Sequence, residues 1–282
     1  MRSVPDALVA VDAGDADLAL VPIENSIEGS VNVTLDTLTF ELDLLVQREV
    51  ALAVELNLLT PPGVGLGDVR RVMSIPHATA QCRSFLAREL PGVELVPSNS
   101  TAEAAQEVGT TRPPDMAAIG TRLAAKLYGL EVLAPDIVDH SDNATRFVLV
   151  AREGVPAATG HDKTSIVCFQ HTDRPGSLHS ILGQFSARNI NLTKLESRPT
   201  KRNLGDYCFF IDIEGHIADE LVADALRNLA AKQADVKFLG SYPVGGVGEA
   251  TVHRRKAASK EWRTATAWVD ELRGRVREGG LE

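Results

Sequence analysis

The chain contains 282 residues, of which 44% are hydrophobic, and its formal net charge is −9 at pH 7. A chain of this length can bury one large core or two moderate ones, and its acidity argues against nucleic acid and anionic membrane surfaces as partners. Its three cysteines do not match the spacing of a disulfide framework or a zinc site, and no apolar run reaches membrane-spanning length. We therefore expect a cytoplasmic protein without membrane or metal partners.

The first 60 residues predict a helix, two strands and a polar loop. Ser3 is typical of a helix N-cap, and the helix that follows it would end at Gly14. Residues 17–23 predict a buried strand that leads into Glu24-Asn25-Ser26, a loop whose side chains suit either ligand binding or turn formation. Residues 49–59 alternate between apolar and polar side chains, which predicts one long strand with an apolar face.

A repeated alternation of strand and helix follows. We expect strands at 71–75, 93–97 and 116–119, and helices at 77–90, 101–108 and 121–127. Strands that alternate with helices predict a parallel sheet. On the helix that starts at His77, Gln81 lies beside the apolar stripe and can point into a cleft, whereas Cys82 belongs to that stripe and predicts a core residue.

Polar clusters recur where the predicted strands begin or end. Asn99, Ser100 and Thr101 follow one strand, and they suit either ligand contact or the capping of the next helix. Asn143 to Arg146 lead into the apolar run 148–150, and a guanidinium at this point is well suited to clamp a carboxylate. Because open α/β sheets bind ligands at one edge, the clusters together predict a site at that edge.

The second half has a different pattern. Residues 153–160 are small and flexible in composition and predict a domain boundary. Strands are expected at 164–170, 190–197, 206–213 and 236–240, and helices at 176–188 and 218–231. This βαββαβ order is ferredoxin-like. The loop Arg174–Leu178 places a glycine at a helix N-terminus, where backbone N–H groups favour a carboxylate.

Three segments of the first half resemble the signature segments of prephenate dehydratases in order and spacing: Val21–Ser30, Ala80-Gln81-Cys82 and Asn143–Phe147. The second half resembles the ACT regulatory domain that bacterial members of this family carry. The resemblance implies an α/β fold with a two-lobed, periplasmic-binding-protein-like catalytic domain and a ferredoxin-like ACT domain. The implied boundaries are 1–152 for the catalytic domain (lobe one 1–60 plus 140–152, lobe two 61–139), 164–243 for the ACT domain and 249–282 for a helical tail.

The resemblance implies the conversion of prephenate to phenylpyruvate on the route to phenylalanine, without a cofactor or a metal. The implied catalytic residues are Thr145, Glu24, Arg146 and Gln81, and the implied substrate-binding residues are Asn25, Ser26, Ser74, Asn99, Ser100, Thr101 and Phe147. Thr145 would hydrogen-bond the departing hydroxyl group, and Arg146 would hold a substrate carboxylate. Glu24 is an alternative proton donor if burial raises its pKa.

The resemblance also implies allosteric control by phenylalanine and a homodimer or homotetramer. The implied effector-binding residues, at the interface of an ACT dimer, are Gly176, Ser177, Leu178, Glu196, Ser197, Arg198 and Pro199, with Glu196 facing the ammonium group of the effector. In the tail, an apolar stripe that runs from Trp262 to Val276 predicts a helix that packs on its own domain or on another subunit.

Two departures from the family pattern leave alternatives open. The family more often has Ser-His-Pro-Gln where this sequence has Ser74-Ile75-Pro76-His77. Members also open with a strand and a Gly-Pro-x-Gly-Thr-Phe loop that this sequence lacks, so we expect impaired stability or activity for the chain as it stands. A non-catalytic amino-acid-sensing protein and an arogenate dehydratase are the alternatives.

Overall fold

The computed structural model describes residues 3–27, 29–139, 143–170, 175–200, 206–232, 234–245 and 264–275. The chain forms two compact units: unit 1 comprises Met1–Ala51 and Arg146–Glu282, and unit 2 comprises Leu52–Thr145. No helix of the described residues is long and apolar enough to cross a membrane.

The helices are α1 (Val4–Ala13), α2 (Asn32–Asp36), α3 (Pro76–Gln81), α4 (Arg83–Glu89), α5 (Thr101–Thr111), α6 (Arg122–Tyr128), α7 (Ser177–Ser186) and α8 (Glu220–Lys232), with a π-helical turn at Thr37–Glu41 and a 3-10 turn at Leu66–Asp68. The strands are β1 (Ala19–Asn25), β2 (Gly29–Ser30), β3 (Leu45–Ala53), β4 (Asn57–Thr60), β5 (Arg71–Ser74), β6 (Glu94–Pro97), β7 (Met116–Gly120), β8 (Glu131–Ala134), β9 (Ala144–Ala151), β10 (Asp162–Gln170), β11 (Leu192–Pro199), β12 (Tyr207–Glu214) and β13 (Ala234–Pro243).

The first part of unit 1, residues 3–51 and 146–152, is called the N-terminal lobe below. Its sheet has the strand order β2-β1-β9-β3. As predicted, Ser3 caps α1, because its hydroxyl accepts a hydrogen bond from the Asp6 N–H at 3.2 Å, and Gly14 ends the helix in the left-handed conformation. Leu8 and Val11 of α1 are fully buried in the core of this lobe.

The second part of unit 1 is built on strands β10 to β13, called the C-terminal sheet below. The predicted βαββαβ order is confirmed, and the strand order is β11-β12-β10-β13 with antiparallel pairing throughout. Side chains on one face form a core with α7 and α8. Side chains on the other face, among them Val167, Phe210 and Tyr242, join the core of the N-terminal lobe. The C-terminal sheet is therefore buried on both faces.

A close approach of two backbones tightens this packing. Gly240 in β13 has φ +136°, and a Cβ atom there would lie 2.5 Å from the carbonyl oxygen of Val46 in β3. The pairing of β10 with β13 shifts register next to Gly240, between Ser165 and Ile166. Only glycine tolerates both this conformation and this distance.

Unit 2 differs from the expected parallel sheet. Its strand order is β6-β5-β7-β4-β8; β5 is parallel to β6 and β7, but β4 is antiparallel to β7 and β8. The predicted single strand 49–59 is wrong, because the chain leaves the N-terminal lobe after β3 and enters the other sheet as β4. The predicted helix 77–90 is interrupted at Cys82, which is fully buried, as its place in the apolar stripe indicates.

The described part of the tail, residues 264–275, is helical through residue 274, and its side chains are exposed. Trp262 and Val276, which begin and end the predicted apolar stripe, lie outside the described residues.

Candidate functional site

Arg146 lies at the centre of a group of carboxylates in unit 1. Its Nε and Nη2 atoms donate to Oε2 of Glu24 at 3.1 and 2.8 Å, and Nη1 donates to Oε2 of Glu49 at 3.2 Å. Glu24 and Glu49 come from β1 and β3, the two strands that flank β9 in the sheet. From the C-terminal sheet, Oδ2 of Asp212 approaches Nη2 to 3.0 Å without the geometry of a directed hydrogen bond.

Two lysines of the C-terminal sheet complete the group. Nζ of Lys163 lies 2.8 Å from Oε2 of Glu49, and Nζ of Lys194 lies 3.1 Å from Oε1 of Glu24. We call the six side chains the charge cluster: Glu24, Glu49, Arg146, Lys163, Lys194 and Asp212. Three positive and three negative charges make the charge cluster neutral as a whole.

The charge cluster revises two expectations about single residues. The guanidinium of Arg146 is only 15% exposed and already pairs with three carboxylates of the protein, which argues against the expected substrate clamp. Burial raises the pKa of Glu24, but Arg146 and Lys194 lower it further than burial raises it, so its pKa lies below the ordinary value. Glu24 is therefore ionised at neutral pH, which contradicts the alternative in which it donates a proton.

The pKa of Arg146 itself is raised. Burial of the guanidinium lowers it, but the charges of Asp212, Glu49 and Glu24 and the neighbouring Tyr242 more than offset that effect. Tyr242 is bonded to the Ser165 hydroxyl at 2.6 Å, and Ser165 donates to Oδ1 of Asp212 at 2.5 Å. These hydroxyl groups hold Asp212 in place next to the guanidinium.

The loop after β1 has turn chemistry. Oδ1 of Asn25 accepts a hydrogen bond from the backbone N–H of Ile27 at 3.0 Å, which is the pattern of an Asx turn. Glu24 and Asn25 pair with Ser30 and Gly29 of β2. The turn interpretation of Asn25 is therefore confirmed, and a contact of Asn25 or Ser26 with a substrate stays a prediction.

In unit 2, the structure brings Gln81 and Asn143 together across 62 positions of sequence. Oε1 of Gln81 accepts a hydrogen bond from Nδ2 of Asn143 at 2.9 Å, and Nε2 of Gln81 lies 3.0 Å from Nε2 of His77. Asn143 is 1% exposed. This bond fixes the chain two residues before Thr145, at the start of β9. Phe147, which follows on the same strand, is partly buried.

The remaining predicted residues of unit 2 form structural hydrogen bonds. Ser74, fully buried at the end of β5, donates to the carbonyl oxygen of Ile119 in β7 at 3.0 Å. Ser100 caps α5, because its hydroxyl accepts from the Glu103 N–H at 2.9 Å, while the Glu103 carboxylate accepts from the Asn99 N–H at 2.8 Å. This confirms the capping interpretation. Substrate contacts of these side chains and of Thr101 stay predictions.

A cavity of about 480 Å³ lies between the N-terminus of α7 and the C-terminal sheet. Both predicted effector motifs reach it, the first through Gly176, Ser177 and Leu178 and the second through Ser197. Sequence reasoning missed the other lining residues: Gln170, His179, Leu182, Tyr207 and Phe209. Tyr207 and Phe209 are two residues apart on β12 and therefore lie on the same face of the strand. This spacing is the sequence signal that could have placed both at the cavity.

Successive side chains of β11 point to opposite faces of the sheet, and this divides the second effector motif, Glu196–Pro199, between the two faces. Ser197 faces the cavity, whereas Glu196 and Arg198 lie on the other face of the strand and bond to the N-terminal lobe. The Glu196 carboxylate accepts from the Ser30 hydroxyl, and Arg198 pairs with Asp36. Glu196 and Arg198 therefore do not line this cavity, and their contact with an effector at the interface of an ACT dimer stays a prediction. Pro199, at the end of β11, is exposed.

Glu49, Lys163, Lys194 and Asp212 were also missed. The signal for Asp212 is a carboxylate inside the apolar run Phe209–Ile213, since a buried charge requires a partner. The sequence does not identify that partner, because the paired residues of the charge cluster are distant in sequence. Glu49 and Lys163, for example, lie 114 positions apart.

Comparisons with known proteins match these features. The family model of prephenate dehydratase matches residues 1–155, and that of the ACT domain matches residues 164–231. A prephenate dehydratase of Mycolicibacterium gilvum is 47% identical over 272 residues, which cover 96% of this chain and 85% of the relative. A solved prephenate dehydratase in complex with L-Phe from Arthrobacter aurescens has a TM-score of 0.83 at 42% identity. The alignment covers 96% of this chain and 89% of the Arthrobacter aurescens chain. GqqA, described as a novel type of quorum quenching acylase, has a TM-score of 0.76 at 31% identity. The alignment covers 87% of this chain and 88% of GqqA. The chain therefore belongs to the prephenate dehydratase family, with an ACT domain after the catalytic domain.

Proposed function

We propose that this chain converts prephenate to phenylpyruvate, with loss of carbon dioxide and water, and that phenylalanine regulates it through the cavity beside α7. The reaction is that of the family. The structural observation that best supports it lies within unit 2, where the bond between Asn143 and Gln81 fixes the chain two residues before Thr145. A hydroxyl on a fixed segment of backbone is preorganised for a reacting group.

The chemistry explains why positioning carries most of the catalysis. When the ring carboxylate of prephenate leaves as carbon dioxide, the electrons of its C–C bond move into the ring and expel the ring hydroxyl as hydroxide. The ring becomes aromatic, so the driving force lies in the substrate. The protein has to orient the substrate and stabilise the departing hydroxide.

Thr145 is the residue proposed to stabilise that hydroxide by donating a hydrogen bond. An aliphatic hydroxyl is a weak acid, so we assign Thr145 a polarising role and solvent the role of the final proton source. Glu24 is ionised and does not supply the proton. We assign Arg146 the role of holding Glu24 and the start of β9, because a substrate carboxylate would have to displace one of its present partners.

The effector cavity suits a phenylalanine molecule. Leu178, Leu182 and Phe209 offer an apolar surface to an aromatic ring, and the N-terminus of α7 offers backbone N–H groups to a carboxylate. The ACT domain and the L-Phe complex of the Arthrobacter aurescens relative support this assignment. We further propose a cytoplasmic homodimer or homotetramer, which light scattering on the purified protein would test.

The decisive experiment measures phenylpyruvate formation from prephenate by the wild-type chain and by Thr145→Val, with and without phenylalanine. Removal of the hydroxyl is expected to lower kcat by about 100-fold, which is typical for loss of one hydrogen-bond donor to a developing negative charge. Thr110→Val, which removes an exposed hydroxyl bonded within α5, is the matched control and should retain wild-type kcat.

Three outcomes would change the proposal. Phenylalanine binding without turnover by the wild-type chain would indicate the amino-acid-sensing alternative. A larger kcat/KM for arogenate than for prephenate would indicate an arogenate dehydratase. An unchanged kcat in Thr145→Val would remove Thr145 from the reaction.

A further inference from the structure

The charge cluster is neutral only when both parts of unit 1 contribute to it. The N-terminal lobe supplies Glu24, Glu49 and Arg146, with a net charge of −1. The C-terminal sheet supplies Lys163, Lys194 and Asp212, with a net charge of +1. Exposed fractions of the side chains are 8% for Lys194, 10% for Lys163 and 1% for Asp212. Because an uncompensated buried charge is costly, the buried Lys163 and Asp212 require the opposite charges of the N-terminal lobe, whereas Lys194 pairs both with Glu24 and with Glu196 of its own strand.

Lys194 is the member of the C-terminal sheet that contacts Glu24 directly. Its Nζ lies 3.1 Å from Oε1 of Glu24 and donates to the Ser30 hydroxyl at 2.5 Å. Oε2 of Glu24, the other oxygen, accepts both bonds from Arg146. The Glu24 carboxylate is thus held at one oxygen by the regulatory domain and at the other by the residue that follows Thr145.

We propose that Lys194, a residue of the ACT domain, is a positioning residue for the dehydration, because it fixes the Glu24 carboxylate against Arg146. This inference rests on the proposed function of the chain. It extends that function by placing one determinant of turnover in the regulatory domain. Lys194 acts through Glu24 and Arg146 and needs no contact with the substrate.

The position of Lys194 on β11 also relates it to the effector cavity. Ser197, three residues further along the strand, lines that cavity. Glu196, between them, shares the lobe-facing side with Lys194, and its Oε2 lies 3.4 Å from Nζ of Lys194. One strand therefore contacts the cavity with one face and Glu24 with the other. A displacement of β11 would reach Glu24 through Lys194.

The test compares three variants of the full chain by steady-state kinetics with prephenate. Lys194→Met should lower kcat by about 10- to 100-fold with a much smaller change in KM, since misplacement of a supporting group costs turnover of this order. Lys194→Arg, which keeps the charge, should recover most of kcat. Lys237→Met is the matched control, because Lys237 also joins the C-terminal sheet to the N-terminal lobe, through Asp43. It should lower thermal stability without lowering kcat.

A double-mutant cycle separates positioning from general damage to the fold. In a Glu24→Gln background, Lys194→Met should change kcat by less than about twofold, because the carboxylate that it positions is gone. Equal fold-losses of kcat in the wild-type and Glu24→Gln backgrounds would overturn the inference. So would a loss of kcat in Lys237→Met as large as that in Lys194→Met.

A second readout needs no turnover. The pKa of Glu24, followed by NMR of a carboxyl-labelled protein, should rise in Lys194→Met and stay at the wild-type value in Lys237→Met. The charged groups that face Glu24 are Arg146 and Lys194, and only the second is changed. An unchanged Glu24 pKa in Lys194→Met would overturn the inference even if the wild-type chain had no dehydratase activity, which would by itself refute the proposed function.

Discussion

Replacement of Arg146 by methionine distinguishes a structural guanidinium from a substrate clamp. The substitution leaves Asp212, whose side chain is 1% exposed, without the cation beside it, and gives the charge cluster a net charge of −1. Removal of one partner from a buried ion pair costs about 3–5 kcal/mol of folding free energy. The bond to Glu24 adds little to this loss, because the Glu24 side chain is 35% exposed and solvent screens the pair.

The assay is urea unfolding of Arg146→Met and wild type, together with KM for prephenate. Arg188→Met is the control, since Arg188 forms a single, similarly buried pair with Asp224 at 2.6 Å and lies outside the charge cluster. We expect Arg146→Met to lose more stability than the control. A loss below about 1 kcal/mol, combined with a large rise in KM, would refute this reasoning and restore the substrate-clamp role.

Two further predictions concern backbone approach and acid stability. Gly240→Ala should cost at least about 1–3 kcal/mol in thermal or urea unfolding, because φ is +136° and the new Cβ would lie 2.5 Å from the Val46 carbonyl oxygen. Gly183→Ala, inside α7 with no atom within 4 Å of the new Cβ, should instead gain about 0.5–1 kcal/mol, and an equal effect of the two substitutions would contradict the close approach. The folded-state pKa of Glu24 lies below its ordinary value of 4.5, so Glu24 contributes stability above that pH that is lost as the pH falls through the folded-state pKa. Wild type should therefore exceed Glu24→Gln in stability at neutral pH, with the difference disappearing in acid; a difference independent of pH would contradict the lowered pKa.

Local sequence signals predicted most of the elements because those signals are short-range. The cap at Ser3, the stop at Gly14 and the βαββαβ periodicity of the second half each depend on residues within one element. The division of residues 49–59 into β3 and β4 could not be predicted in this way. The alternation of apolar and polar side chains indicates only that one face of a strand is buried. The same pattern continues when the chain leaves one sheet and enters another, so it does not show where one strand ends.

The candidate site was predicted less completely because its bonds join distant residues. The motif segments identified Glu24, Gln81 and Arg146, but the partners of Arg146 come from β3 and β12 as well as from β1. In the second effector motif, the period of two along β11 places Ser197 at the cavity and Glu196 on the opposite face of the strand. A strand presents neighbouring residues to opposite faces, so consecutive motif residues cannot all line one cavity.

Because side chains alternate along its strands, the C-terminal sheet contributes to the core of the N-terminal lobe as well as to its own. In β12, Phe209 and Ile211 face the core formed with α7 and α8, whereas Cys208 and Phe210 face the core of the N-terminal lobe. A sheet that is apolar on both faces requires cover on both, because exposed apolar patches of that size favour aggregation. The family models divide the chain at residues 155 and 164, yet the core of the N-terminal lobe and the charge cluster contain residues from both sides of that division. The proposed regulation would therefore act within unit 1, where the sheet that lines the cavity beside α7 also packs against the N-terminal lobe.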